Sequence, residues 1–259
     1  MKILFMGRKQ VSANLLRFLT KQDHIEIVGV LTDSHLQGSP TTAAAQELGL
    51  PLYTFDTALE AMREGRLKYD LGLSVLYWRK LRDEFLSIPT LGTINFHPAL
   101  LPEYKGTGGY NLAIMDELNE WGNTAHYVDA SIDTGEIIEV DRFPIDAETE
   151  TAQSLERKTM QALEDFARRI ITRAIESKTK LPTTPNIGGR YVSRDEMEAM
   201  KQIRDGDNIE KKIRAFWFPP YDGAYVEING QKYTLINRQL LEEVAPKDST
   251  SLFAGKANA

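Results

Sequence analysis

The chain has no cysteine among its 259 residues. That excludes a disulfide framework, a thiolate metal site and a cysteine nucleophile. It agrees with a reducing compartment, and a cytoplasmic protein is the expectation. Long apolar runs are also missing. None approaches membrane-spanning length, and the apolar start of MKILFMGRKQ is too soon interrupted for a signal peptide. Only Gly7 stands after that first run, so the G-x-G-x-x-G fingerprint of dinucleotide binding is absent. There is no G-x-S-x-G elbow. Gly106, Gly108 and Gly109 are not followed by Lys-Ser/Thr, so no P-loop is spelled. Basic charge is in deficit: 31 Lys and Arg face 37 Asp and Glu, a net charge of -6. Nucleic-acid affinity rests on neutralising phosphates, and this balance argues against it.

What is present reads as a globular α/β chain. Hydrophobic residues make up 42% and charged residues 26%, ordinary values for a globular protein. The apolar runs KILFMG, IEIVGVL, DLGLSVLYW and GTINFHP alternate with helical patterns over residues 13–19, in TTAAAQELGL and in ALEAMREGRL, with PLYTF as a short strand. Strands alternating with helices predict a Rossmann-like, mostly parallel sheet flanked by helices over the first 145 residues or so. NTAHYVDASID and GEIIEVDRFPI then read as two strands joined by a tight turn at Thr134 and Gly135. A long amphipathic helix follows, with Leu155, Leu163, Phe166, Ile170 and Ile171 largely on one face. Residues 1–177 are expected to form the catalytic domain and 178–190, rich in proline and glycine, a linker. Residues 191–245 read as a small α+β appendage. It carries a Ser193/Glu196 capping box and a β-hairpin turning at Asn229 and Gly230. Residues 246–259 are expected to fray.

Asn95 and His97 lie two apart at the end of the fourth apolar run. In a strand they face the same way, from the carboxyl end where open α/β sheets hold ligands. Pro98 marks where pairing stops. Asp129 and Asp133 follow in a loop, after enough chain for a helix and a returning strand. A carboxylate beside an imidazole orients it, and an amide N–H can meet a developing oxyanion. Asn, His and Asp together suit acyl transfer in which no side chain is acylated. The bland readings remain beside this one. Asn95 could cap a turn and His97 could be a satisfied polar residue. His126, Asp129 and Asp133 could suggest a metal, but no ligand motif frames them; a solvated face is expected and no metal.

The ordered set GTINFHPALLPEYKGTGGYN with ASIDTGEII resembles the folate-dependent N-formyltransferases, and YWRKL at 77–81 looks like their folate-side loop. The resemblance implies a formyl group moved from N10-formyltetrahydrofolate to a primary amine. It implies that Asn95 and His97 stabilise the oxyanion, while Asp133 holds His97 and helps move protons. It places the pterin between the loop of Arg79 and Leu81 and the loop of Asp129, Ile132 and Asp133, and implies a cis Leu101–Pro102 bond. Among the branches, the chain is most similar to the sugar N-formyltransferases, in KGTGGYN and in IRAFWFPPYDGAYVEINGQKYTL. The substrate expected from this is an amino sugar on a nucleoside diphosphate, dTDP or UDP. Its product would serve surface polysaccharide such as the O-antigen of lipopolysaccharide. Trp217, Phe218 and Tyr221 could stack on the base, Arg8 and Lys9 could meet the pyrophosphate, and Gly106 to Gly109 could leave room for the amine. The aromatics could equally be core, or the face of a homodimer. The rival readings are a formyltransferase for another amine, such as a hydroxyornithine-type amino acid or methionyl-tRNA, and an inactive folate- or nucleotide-binding module.

Overall fold

The computed structural model describes residues 1–32 and 38–244; the tail expected to fray lies outside them. The first part of the chain alternates as the apolar runs demand. It runs β1 (Lys2–Gly7), α1 (Gln10–Leu19), β2 (Glu26–Leu31), α2 (Pro40–Glu47), β3 (Leu52–Tyr53), α3 (Phe55–Arg63), β4 (Leu71–Val75), α4 (Asp83–Ser87) and β5 (Thr93–His97). Next come β6 (Tyr104–Gly106), α5 (Gly109–Met115), β7 (Glu120–Tyr127), β8 (Ile137–Pro144) and α6 (Ala152–Ser177). Capping boxes start α3 and α6, Thr54 with Thr57 and Thr151 with Ser154, satisfying N–H groups that a helix start leaves free. The chain ends in β9 (Arg190–Val192), α7 (Arg194–Met200), α8 (Ile209–Ala215), the β10 (Tyr225–Ile228) and β11 (Gln231–Thr234) hairpin, and α9 (Arg238–Val244). The hairpin turns with positive φ at both Asn229 and Gly230, which matches the right-handed strand twist. The Ser193/Glu196 capping box forms.

Seven strands make one sheet in the order β3-β2-β1-β4-β5-β7-β8. The first five run parallel, and β7 and β8 turn antiparallel at one edge. This is the mostly parallel α/β sheet expected from the apolar runs. Period-two alternation sorts the side chains between its faces. Leu71, Leu73, Val75, Ile94 and Phe96 join the core under α1, α2 and α6. Leu4, Met6 and Leu31 face the other way, against α3 and Phe85 of α4. On that second face β5 and β7 carry polar residues instead.

Two expectations change. β7 and β8 are not joined by a tight turn at Thr134 and Gly135. The strands stop at Tyr127 and resume at Ile137, because Asp129 folds the intervening loop on itself. Its Oδ1 accepts from the Ser131 N–H at 3.0 Å and the Thr134 hydroxyl at 2.6 Å, an Asx turn that competes with the ladder. Residues 178–190 also do more than connect. Thr184 bridges Ile137 with two backbone hydrogen bonds, the Lys105 ammonium donates to the Gly188 carbonyl, and β9 pairs in parallel with β6. A third core joins Trp121 of β7, Ala113 and Ile114 of α5 and Leu155 of α6 to Ile213, Ala215 and Phe216 around α8 and to Leu240 of α9. The end of the chain is packed into the same body as the sheet.

Candidate active site

Asn95 stands opposite His126 in the β5–β7 register. Its Oδ1 accepts from the Ser74 hydroxyl at 2.7 Å, and its Nδ2 lies 3.0 Å from His126 Nε2. His126 Nδ1 lies 2.8 Å from the Tyr127 carbonyl. A carbonyl only accepts, so Nδ1 carries the hydrogen and Nε2 accepts from the Asn95 amide. The amide is thereby oriented, and its second N–H is left for another acceptor.

His97 is fixed by the same logic. Its Nε2 lies 2.9 Å from the Tyr104 carbonyl, so Nε2 carries a hydrogen and Nδ1 is the nitrogen that gains or loses a proton. Nδ1 faces Asp133 Oδ2 at 3.6 Å, and His126 Nε2 lies 3.6 Å from Asp133 Oδ1. The Gly106 N–H donates to Asp133 Oδ2 at 3.0 Å. Burial lowers the pKa of His97 below the ordinary histidine value, against the opposing pull of Asp133 and the Tyr104 carbonyl. Burial alone would raise Asp133, but His97, His126 and the Gly106 N–H outweigh it and hold its pKa down at about 2. Near neutral pH the pair is a neutral imidazole beside a carboxylate. Asp133 takes this position with φ at +54°, a left-handed conformation uncommon for a side-chain-bearing residue.

The sequence predicts a solvated face for His126, and the structure differs. It is 2% exposed, accepts from the Asn95 amide and lies beside Asp133. The β-alternation of Thr124 and His126 held the signal, since both face the same way as Asn95 once β7 pairs antiparallel to β5. Ser74, Tyr104 and Gly106 had no such signal, because they act through register and backbone. Among the described residues no group of three or more His, Cys, Asp or Glu could hold a metal ion.

The remaining expected residues are scattered more widely. Arg79 lies over the Phe55 ring at 4.3 Å to its centroid, and Leu81 is buried in the second core. Ile132 stands out, 43% exposed, on the Asp133 loop, and the Asp129 carboxylate is committed to that loop's own turn. Lys9 pairs with Glu156 of α6, and Arg8 Nε is buried without a partner. Both sit where strand order reverses between β1 and β4, the position where open sheets take ligands. Trp217 is half-buried against the third core, while Tyr221 is 69% exposed beside Phe218. The room expected at the glycines is filled by the chain's own later segments. A Cβ on Gly106 would meet the Val192 carbonyl at 2.5 Å, and one on Gly108 would meet Met197 at 2.6 Å. Close approach of β9 and α7 explains these glycines; Gly108 offers no open space on its Cβ side.

The arrangement places an oriented amide donor, a proton-accepting imidazole and a carboxylate on one face at the end of β5. Such a set polarises a carbonyl and moves a proton beside it. Known proteins are similar to this chain in sequence or in fold. The methionyl-tRNA formyltransferase of Lysinibacillus sphaericus strain C3-41 is 29% identical over 241 residues, covering 86% of this chain and 74% of that protein. A 4-N formyltransferase from Francisella tularensis superposes with a TM-score of 0.74 at 20% identity, over 90% of this chain and 96% of that one. The N-formyltransferase from Helicobacter canadensis, solved in complex with folinic acid and dTDP-3-aminofucose, superposes with a TM-score of 0.68 at 26% identity, over 90% and 86%. A family model described as formyl transferase matches residues 1–172, and with two thirds of its length inside that match the chain belongs to the formyl transferase family.

Proposed function

We propose that the chain moves a formyl group from N10-formyltetrahydrofolate to the primary amine of a nucleotide-linked amino sugar. The observation that carries formyl transfer is the meeting of Asn95, His97 and Asp133 at the end of β5 in a chain of this family. The donor supplies an acyl carbon attached to a nitrogen leaving group. Asn95, held by Ser74 and His126, offers its second N–H to the carbonyl oxygen as that oxygen gains charge. His97 Nδ1 takes the proton lost by the amine as the new C–N bond forms, and returns one to the departing nitrogen as the old bond breaks. Asp133 stabilises the imidazolium between those events. For the folate, the fit rests on Trp78 and Ile132, 54% and 43% exposed on the two loops; apolar surface left out of the cores is what a flat heterocycle covers. Arg79, Leu81 and Asp129 belong to the same two loops.

The amino-sugar acceptor is supported by the likeness to the Helicobacter canadensis enzyme and its bound dTDP-3-aminofucose. The net charge of -6 also disfavours a polyphosphate as large as tRNA. On this reading Arg8 and Lys9 face the pyrophosphate, and Tyr221 with Trp217 lines the nucleoside side. The reading opposed to it is formylation of methionyl-tRNA, favoured by the 29% identity to the Lysinibacillus enzyme. Release of tetrahydrofolate, followed with dTDP- and UDP-linked amino sugars, free amino acids and methionyl-tRNA as acceptors, decides between them. Turnover with an amino-sugar nucleotide is the expected result, and turnover with charged tRNA alone would sink it. His97→Ala and Asp133→Asn are each expected to lower kcat by on the order of a hundredfold with folding intact.

A further inference from the structure

The segment between α6 and α7 reaches both halves of the site. Asn186 donates its side-chain amide to the Asp133 carbonyl at 3.0 Å and to the Gly135 carbonyl at 2.9 Å. The two N–H bonds of one amide thus bracket the residue that follows the carboxylate. On the other side of the loop the turn is held by Asp129. Asp133 keeps a positive φ between these two restraints, and such a conformation persists only where its surroundings over-determine it.

The amide is itself anchored on both flanks. Before it, Thr184 exchanges two backbone hydrogen bonds with Ile137 at 2.8 and 2.9 Å. After it, the Gly188 carbonyl accepts from Lys105, and the Arg190 N–H donates to the Glu103 carbonyl at 3.0 Å. Gly189, with φ at +73°, packs so closely on Pro102 that a Cβ would lie 1.6 Å from its carbonyl oxygen. β9 then pairs with β6, the strand whose Tyr104 carbonyl sets the His97 tautomer and whose Gly106 N–H holds Asp133. One segment therefore ties the Asp133 loop to the strand that orients His97.

We propose that Asn186 is a positioning residue for formyl transfer, acting through the Asp133 backbone to keep the carboxylate at His97. The proposal rests on the roles assigned above to His97 and Asp133. Its consequence is electrostatic. A carboxylate that drifts from the imidazole no longer favours its protonated form, so the His97 pKa falls further.

The test titrates the histidine side chains of the full-length protein by NMR, which needs no substrate. The forms compared are wild type, Asn186→Ala, Asn186→Asp, Asp133→Asn and the Asp133→Asn/Asn186→Ala double variant. Asn186→Asp keeps the shape and removes both donors. Either Asn186 substitution is expected to lower the His97 midpoint, and Asn186→Ala is expected to add nothing in the Asp133→Asn background. In parallel, kcat for formyl transfer to dTDP-3-aminofucose is expected to fall about tenfold while KM for the folate stays within about twofold. Unmoved His97 midpoints in both folded Asn186 variants would overturn the proposal. So would equal shifts in the two backgrounds, or unfolding of both variants, which would assign the amide to folding. If Asp133→Asn itself leaves His97 unmoved, the reading of the site fails instead, a different result from any that bears on Asn186.

Discussion

His126 lies beside Asn95 and Asp133 and fixes the Asn95 amide. With Nδ1 committed to the Tyr127 carbonyl, its Nε2 is an acceptor that selects one of the two flips of the Asn95 amide. His126→Ala is expected to lower kcat by on the order of tenfold with KM little changed, in steady-state kinetics. The pH dependence follows from the same residues. The folded-state pKa of Asp133, about 2, lies below its ordinary 3.8. Its ionised form therefore contributes stability above that ordinary value, and the contribution is lost as pH falls toward 2. The folded pKa of His97 also lies below its ordinary 6.5. Its neutral form contributes stability above 6.5, lost as pH falls from there through the lower folded value. In thermal denaturation across this acid range, Asp133→Asn is expected to lose less stability than wild type at the low end. The acid limb of kcat/KM is expected below the ordinary histidine range, where His97 protonates.

At the scale of elements, the close contact of Gly189 with Pro102 couples the arm, residues 178–190, to the turn after β5. Gly189→Ala combines an unfavourable φ with a backbone clash, and a loss of about 1–3 kcal/mol is expected by denaturant unfolding, with lower kcat. The parallel strands and α6 were legible in the sequence because their signal is local. KILFMG is apolar on both faces, and Leu155, Leu163, Phe166, Ile170 and Ile171 repeat at helical spacing; all five are at most 1% exposed. Asn95, His97 and Asp133 were legible as a set, and they do converge. The rest depends on pairing over distance. β6 and β9 are each three residues long, too short to show a period, and are stabilised by each other. His126 reads as solvated because in sequence it falls in with Asp129 and Asp133 and no motif frames the three, while the strand pairing that sets it against Asn95 is non-local. Gly106 and Gly108 read from sequence as room for a substrate; the close approach of β9 and α7 to them is a long-range contact the sequence does not show.

Across the whole molecule, Phe216 shares a core with Trp121, and both are at most 2% exposed. Phe216→Ala is expected to cost about 3–5 kcal/mol. It should do so in a single unfolding transition seen alike by near- and far-UV circular dichroism, since the last helices and the sheet bury one continuous cluster. Two separate transitions would assign residues 191–244 to an independent unit. The pairing of β6 with β9 has a consequence in time. During synthesis the sheet strands, α6 and the Asn95–His126 contact all precede the arm, yet the partner of β6 is translated only at Arg190–Val192. A nascent chain that has emerged as far as α6 holds Asn95, His97 and Asp133, but lacks the strand that pairs with its Tyr104 and Gly106 backbone. The backbone frame around His97 and Asp133 is thus expected to close only late in synthesis, once β9 has emerged to pair with β6.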